Sequence, residues 1–302
     1  NMRVTTQMAV NTLVGNLNRS FGRMVRYQQE LSSGSRLNNL SDDPAAVERS
    51  LSLRSEIRNI EQYQKNIDDG TGWLELSEAN LGELETLFVE ARGLAVQGAS
   101  DTYDAQQRSS LAAQVDQFLE HAVSLSESRY RGRYIFAGTQ TGEPPYDAIR
   151  DQEGKILALD PAGDATGTIE REVADGVIMQ VNVSGDSVYE GSLNAFDVFI
   201  DLRDSLADND VTKVRESLTA LADMREKISA VRGEIGARVN RMELTRNILD
   251  RVTTEMSTIL SEDEDVDLTS TIVNLQQEQD VFQAALASGS TVIPQSLMDF
   301  IG

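Results

Sequence analysis

The sequence contains no cysteine, and it is poor in histidine, proline and aromatic residues. Without thiols the chain can form neither a disulfide bond nor a thiolate nucleophile. It has one histidine, His121, and 5 prolines, and aromatic side chains make up 5% of its residues. Few prolines and few aromatics favour long helices over a compact enzyme core with many loops. A lone helical histidine is usually a packed or solvated side chain, so we predict no catalytic residue and no cofactor.

Basic residues are also scarce, because 27 lysines and arginines stand against 49 aspartates and glutamates, which gives a net charge of −22. Binding to nucleic acid depends on lysine and arginine, so we predict no nucleic-acid partner. No apolar run approaches the roughly 20 residues that span a bilayer, so we predict no membrane insertion. The first residues lack the apolar core of a secretory signal. If the protein leaves the cell, we expect export without a cleaved signal.

Heptad-like spacing is present at both ends of the chain. Between residues 4 and 31 the spacing alternates between three and four, with only Ser20 polar, at Val10, Leu13, Leu17, Met24, Tyr27 and Leu31. A similar pattern near the other end comprises Leu268, Ile272, Leu275, Phe282, Leu286 and Ile293. Each pattern is a narrow apolar stripe on a helix that has no core of its own, so each helix needs partner helices.

A polar stretch between residues 31 and 44 separates the first helix from the next. Gly34 can adopt the positive φ that ends a helix, and Asp43 before Pro44 is a helix start with an N-cap and a proline at the first position. We interpret the stretch as a joint that also guides the approach of neighbouring subunits. Its predicted residues are Arg36, Asn38, Asp42, Asp43 and Pro44.

The centre of the chain changes from helical to alternating patterns and back. Apolar seams predict long helices over residues 44–130, with a kink near Gly70 and Gly72. Short alternating runs with turn signals at 151–154 and 174–176 predict two β-hairpins. The predicted segments are a terminal assembly helix and loop at 1–43, a helical half-rod at 44–130, a β-rich insert at 131–191, a second half-rod at 192–260, and a terminal assembly helix at 261–302.

The predicted fold is mainly α: an elongated antiparallel helical bundle or coiled-coil rod formed by both chain ends, with a small β-rich domain inserted in the middle.

One acidic stretch of the chain has the alternating acids of a calcium loop, at Asp263, Asp265 and Asp267. However, Leu268 occupies the position of the required glycine, and Asn274 that of the bidentate glutamate. We therefore predict no metal site, and we expect the acids of the whole run 262–267 to cap the last helix.

Several segments resemble the bacterial flagellins and their relatives. They are QQELSSGSRLN at 28–38 with the following DDPA at 42–45, QYQKN at 62–66, RGLAVQ at 92–97, and QDVFQAAL at 279–286. They cover both ends and most of the helical part of the chain. The resemblance identifies the chain as a member of this family.

Two further segments resemble the hook–filament junction branch of that family more than filament flagellins. They are RGRYIFAGT at 131–139, followed by PPY at 144–146, and SLMDFI at 296–301. The resemblance implies a structural subunit outside the cell that joins the hook, through another hook-associated protein, to the flagellin filament. It also implies export by the flagellar type III apparatus and a cytoplasmic chaperone on the C-terminal helix. A short filament flagellin is the alternative.

The terminal stripes predict folding that is coupled to assembly. Isolated helices of this kind are marginal, so we expect residues 4–31 and 267–301 to order as they pack on each other and on neighbouring copies. The predicted assembly interface comprises Val10, Leu13, Leu17, Met24, Leu31, Leu268, Ile272, Leu275, Phe282 and Leu286. Two alternatives are weaker. A stalked hydrolase would need a catalytic site in the insert, which has no histidine. A surface adhesin that binds glycans would need aromatic side chains, of which the insert has few.

Overall fold

The computed structural model describes residues 2–38, 43–163, 165–191 and 193–292. The helices are α1 (Met2–Ser33), α2 (Pro44–Gly98), α3 (Ala105–Ser126), α4 (Asp186–Tyr189), α5 (Ala195–Ala207), α6 (Val211–Glu264) and α7 (Leu268–Val292). The strands are β1 (Arg129–Tyr130), β2 (Arg133–Tyr134), β3 (Tyr146–Arg150), β4 (Ile156–Pro161), β5 (Glu170–Ala174) and β6 (Val177–Gln180). The predicted order of helices, a small β region and returning helices is confirmed.

Packing divides the chain into two compact units. The terminal unit consists of Asn1–Asn59 with Arg251–Gly302, and the central unit is Ile60–Asp250. Both boundaries fall inside long helices, α2 and α6, so the first turns of α2 and the last turns of α6 pack with the terminal helices. The five-segment division expected from the sequence follows helix ends instead, and it stays a prediction.

The core of the central unit is built on the apolar seam of α2. Ile67, Leu74, Leu81 and Phe88 are at most 1% exposed, as their heptad spacing predicts. The ring of Phe88 packs against that of Phe199 in α5, with centroids 4.4 Å apart. The buried side chains of α3 include Leu111, Val115 and Leu119.

Gly70 and Gly72 do not interrupt α2, which is helical throughout this stretch. A Cβ atom on Gly70 would lie 2.6 Å from a methyl group of Val181, and one on Gly72 would lie 2.4 Å from the hydroxyl of Tyr130. The glycines therefore allow the β insert to approach the helix closely, which is a reason for glycine that does not require a helix break.

The β insert begins at Arg129, two residues before the predicted start. Its described residues form three separate two-stranded antiparallel hairpins, β1–β2, β3–β4 and β5–β6. Both predicted hairpins are present. In the second, Ala174 pairs with Val177 across a two-residue turn in which Gly176 has a φ of +67°. In the first, Gly154 has a φ of +90°. The β1–β2 hairpin was not predicted, because its strands are too short to show alternation.

A buried arginine fastens the insert to the helices of the central unit. The side chain of Arg203 in α5 is 2% exposed, and its Nη1 donates to the backbone oxygen of Ile156 at 2.7 Å and to Asp116 of α3 at 2.9 Å. Tyr189 of α4 stacks on Phe196 of α5, with ring centroids 4.8 Å apart. These contacts join β4, α3, α4 and α5 into one core.

The last two helices do not meet at the expected segment boundary between residues 260 and 261. α6 continues to Glu264, so only residues 265–267 separate it from α7. Among the described residues, no helix combines the length and the apolar character needed to cross a membrane.

Candidate assembly surfaces

The predicted joint is paired with the loop between α6 and α7. Gly34 has a φ of +70°, and its carbonyl accepts a hydrogen bond from the backbone nitrogen of Val266 at 3.1 Å. The backbone nitrogen of Arg36 donates to the carbonyl of Glu264 at 2.7 Å, and its guanidinium donates to the carbonyl of Asp263 at 2.9 Å. These bonds tie together two loops that lie more than 220 residues apart in the sequence.

The start of α2 has the predicted capping residues. The carboxylate of Asp43 accepts a hydrogen bond from the backbone nitrogen of Ala46 at 3.0 Å, and Pro44 is the first helical residue. The side-chain amide of Asn38 donates to a backbone carbonyl three residues earlier. Asp42 lies outside the described residues. Asn38, Asp43 and Pro44 therefore shape the chain locally, whereas Arg36 joins it to the end of α6.

Two acids at the end of α6 bind arginines of α2 instead of capping the last helix. Asp263 accepts two hydrogen bonds from Arg49, at 3.1 and 2.8 Å, and Glu264 accepts two from Arg54. The arginine hydrogen bond is the main cause that lowers the pKa of each carboxyl below its ordinary value. The predicted capping role is therefore wrong for Asp263 and Glu264.

Asp267 does cap α7. Its carboxylate accepts hydrogen bonds from the backbone nitrogens of Thr269 and Ser270 at 3.0 and 3.1 Å. No group of three or more histidine, cysteine or acidic side chains that could hold a metal occurs among the residues the structure describes.

Helices α1 and α7 form a pair that is joined by polar residues at its centre. The hydroxyl of Ser20, the one polar position in the α1 seam, donates to Glu278 at 2.7 Å. Arg23 donates two hydrogen bonds to the same carboxylate, at 2.7 and 3.0 Å. The hydrogen bond from Arg23 is the main cause that lowers the pKa of Glu278, and the bond from Ser20 adds to it. The polar interruption in the stripe therefore sets the register of α1 against α7.

Apolar contacts flank this polar centre. The rings of Phe21 and Phe282 have centroids 6.2 Å apart. Gly289 lies so close to Leu13 that a Cβ atom there would be 2.7 Å from a leucine methyl group. Most predicted interface residues are half-buried in this pair, namely Val10, Leu13, Leu17, Met24, Leu31, Leu275 and Phe282.

Three predicted interface residues are instead exposed on α7: Leu268, Ile272 and Leu286 are 54%, 46% and 49% exposed. Both helices expose further apolar side chains that were not predicted. In α1, Val14, Phe21 and Val25 form a second stripe one position beyond the predicted one, and their spacing could have revealed it. We call the whole set the outer apolar residues: Met8, Val14, Phe21 and Val25 of α1, and Leu268, Ile272, Val273, Val281 and Leu286 of α7.

His121 has a plain surface environment. Its Nε2 lies 2.7 Å from a carboxylate oxygen of Glu83, and both side chains are about half exposed. Nothing around it resembles a catalytic arrangement in the described part of the chain.

The terminal unit presents apolar surface on two helices that are already paired, and surface of this kind marks protein–protein contacts.

Comparison with known proteins agrees with an assembly role. Residues 4–141 match the family model of the bacterial flagellin N-terminal helical region. Hook-associated protein 3 of Escherichia coli K12 is 25% identical over an alignment that covers 94% of this chain and 95% of the relative. Flagellin of Bacillus subtilis 168 is 24% identical, with 99% of this chain and 100% of the relative covered.

Solved structures of flagellar proteins share this fold. A hook-associated protein from Vibrio parahaemolyticus superimposes with a TM-score of 0.66 at 23% identity, covering 74% of this chain and 100% of that chain. The flagellar junction protein FlgL of Legionella pneumophila gives a TM-score of 0.59 at 14% identity, covering 72% of this chain and 100% of that chain. With a flagellin N-terminal helical region at residues 4–141, near full-length relatives and paired terminal helices, the chain is similar to bacterial flagellins and hook-associated proteins.

Proposed function

We propose that this protein joins the flagellar hook to the filament, and that it assembles with neighbouring subunits through the outer apolar residues of α1 and α7. The observation that carries the proposal is that both helices expose large apolar side chains although they are already packed against each other. A handful of such side chains would contribute roughly 1.5–3 kcal/mol each when fully buried, which offsets the cost of ordering and associating the helices.

The position at the junction rests on two supports. A hook-associated relative aligns over nearly the whole chain, and solved hook-associated proteins have the same fold over their full length. A second candidate is a subunit of the filament itself, because a flagellin relative aligns equally completely. The two positions require the same assembly surfaces, so only the location of the protein separates them.

The proposed partners follow from this role. Copies of the chain would contact each other, another hook-associated protein on the hook side, and flagellin on the filament side. Before assembly, the outer apolar residues of α7 would need cover in the cell. A cytoplasmic export chaperone that binds this helix would provide it, and export would proceed through the flagellar type III apparatus.

The location can be tested by labelling whole cells. Because the chain has no cysteine, Gln152→Cys in the exposed β3–β4 turn introduces a unique thiol for a fluorescent maleimide. A single labelled band where hook meets filament is the expected result, and cells with the cysteine-free protein give the background. Label along the whole filament would overturn the junction assignment in favour of a filament subunit.

The assembly surface can be tested with charges placed on α7. Ile272→Asp combined with Leu286→Asp should abolish incorporation into the flagellum, because carboxylates cannot be buried in an apolar contact without partners. Both side chains are exposed in the single chain, so circular dichroism and the melting temperature should stay within a few degrees of wild type. Leu275 and Phe282 are less suitable, because both are half-buried against α1.

The matched control is Gln276→Asp combined with Gln283→Asp, which adds the same charge at exposed polar positions of the same helix. This variant should assemble normally. If the Ile272 and Leu286 variant also assembles normally, the outer apolar residues are not the interface.

A further inference from the structure

A cleft of about 720 Å³ opens in the central unit between α2, the β1–β2 hairpin and β5. Sites for small ligands commonly have volumes of about 300–1,000 Å³. The lining combines cationic, hydroxyl and aromatic side chains, among them Arg131, Arg133, Arg171, Thr139, Thr141 and Tyr130. The proposed function uses none of these residues.

The cleft is locally cationic in a strongly acidic protein. Its three arginines outnumber the two acids that line it, Asp69 and Glu170. The guanidinium of Arg133 is exposed, and it forms no ion pair or side-chain hydrogen bond with any residue that the structure describes. Among the residues that the structure describes, the guanidinium of Arg171 has one hydrogen-bond acceptor, the backbone oxygen of Glu170 at 3.1 Å. Two of the three cations are therefore free to meet an anionic ligand.

Arg131 occupies a backbone position that does not suit it. Together with Gly132 it forms the two-residue turn of the β1–β2 hairpin, and both residues have positive φ, +49° and +82°. Asn-Gly is the preferred pair for such a turn, because positive φ brings Cβ close to the following carbonyl oxygen. Glycine lacks Cβ, and asparagine tolerates this conformation better than arginine does. The arginine side chain lies over the ring of Tyr130, 5.2 Å from its centroid, and pairs with Asp69 at 2.7 Å. A strained residue held in this way at a cleft points to a role for its side chain rather than for the turn.

We propose that the cleft binds the carboxylate of an acidic sugar, such as a uronic acid within a saccharide. Guanidinium groups recognise carboxylates through paired hydrogen bonds. The threonine hydroxyls can both donate to and accept from sugar hydroxyls. Tyr130, Ile169 and Val181 supply an apolar wall for the C–H face of a sugar ring. Because the specificity of the site comes from arginine, the small number of aromatic residues in the insert does not exclude sugar binding.

Trp73 makes the test direct, because it is the single tryptophan of the chain and lines the cleft. Titration of the full chain with trigalacturonic acid should change its fluorescence and saturate, whereas neutral galactotriose should have no effect. Arg133→Gln and Arg131→Asn should each weaken binding at least tenfold. Arg131→Asn should also leave the melting temperature unchanged or raise it, since asparagine suits the turn better. Arg215→Asn, which removes the same charge outside the cleft, should bind like wild type.

Several results would overturn the proposal. The first is the absence of a saturable signal with the acidic sugar. The second is equal binding of inorganic sulfate, which would indicate a general anion site. The third is tighter binding of a peptide with the acidic sequence of residues 261–267, which would indicate a protein partner. Unchanged affinity in both cleft variants would also overturn it, because their folding is checked by the melting temperature.

Discussion

Gly70 and Gly93 lie in the same helix, but their surroundings give them opposite roles. Gly70 faces the β insert, where Val181 is 3% exposed and leaves no room for a methyl group. A Cβ atom on Gly93 would have nothing within 4 Å, so this glycine only raises the conformational cost of the helix. One glycine thus serves packing between elements, and the other serves no contact within the described chain.

Alanine substitutions should separate these roles. Gly93→Ala should raise the free energy of unfolding by about 0.5–1 kcal/mol, because alanine favours helix. Gly70→Ala should lower it by roughly 1–3 kcal/mol, because the new methyl group overlaps Val181, a branched side chain that cannot turn away. Urea denaturation followed by circular dichroism measures both. A stabilised Gly70→Ala variant would show that the insert can move away from α2 at little cost.

At the scale of elements, the α1–α7 pair depends on one carboxylate. Glu278 accepts hydrogen bonds from Ser20 and Arg23 of the partner helix, and its pKa is lowered in the folded chain. A carboxyl with a lowered folded pKa stabilises the pair above its unfolded pKa, and this contribution is lost as the pH falls through the folded pKa. The pair should therefore loosen as the pH falls through the pKa of Glu278.

Hydrogen exchange of α1 should report this dependence. Protection factors, which correct for the pH dependence of chemical exchange, should be higher in wild type than in Glu278→Gln at pH 7, because the variant lacks the charged acceptor. The difference should disappear as the pH falls through the lowered pKa of the wild-type carboxyl, where that carboxyl becomes protonated. Equal protection at pH 7 would show that the polar centre does not stabilise the pair. Asp263 and Glu264 are unchanged in both proteins, so the difference isolates Glu278.

At the scale of the whole molecule, the two units bury their side chains to different degrees. Among the described side chains of α1, only Ser20 and Glu30 are buried, whereas α2 contributes a run of fully buried residues to the central unit. Local stability follows the burial of apolar side chains. The terminal unit is therefore expected to be the less stable of the two until neighbouring subunits cover it.

Exchange measured across the whole monomer tests this expectation. Residues 4–31 should exchange much faster than residues 53–88, and they should become protected on assembly. The same measurement on assembled flagella or on a polymer of the purified protein gives the comparison. Equal protection of both stretches in the free monomer would contradict coupled folding and assembly.

Much of the fold could be predicted because its signals are local. Asp43 with Pro44 marks a helix start wherever the chain packs, and the turn at Asp175–Gly176 requires little beyond its own backbone. Heptad spacing likewise predicts helices and the seam of α2. The acids at the end of α6 and before α7 show that local signals are not sufficient for every residue. The capping role is confirmed for Asp267, whose partners are its own neighbours, and wrong for Asp263 and Glu264, because their partners lie on α2.

The sequence by itself determined the helices, the predicted hairpins and the existence of apolar stripes at both ends, because spacing along the chain is enough for each. Only the tertiary structure decided which stripe residues face the partner helix and which remain exposed. That choice depends on the rotation of α1 against α7, which Ser20, Arg23 and Glu278 set across more than 250 residues of sequence. The cationic cleft also exists only in three dimensions, because its arginines belong to separate hairpins.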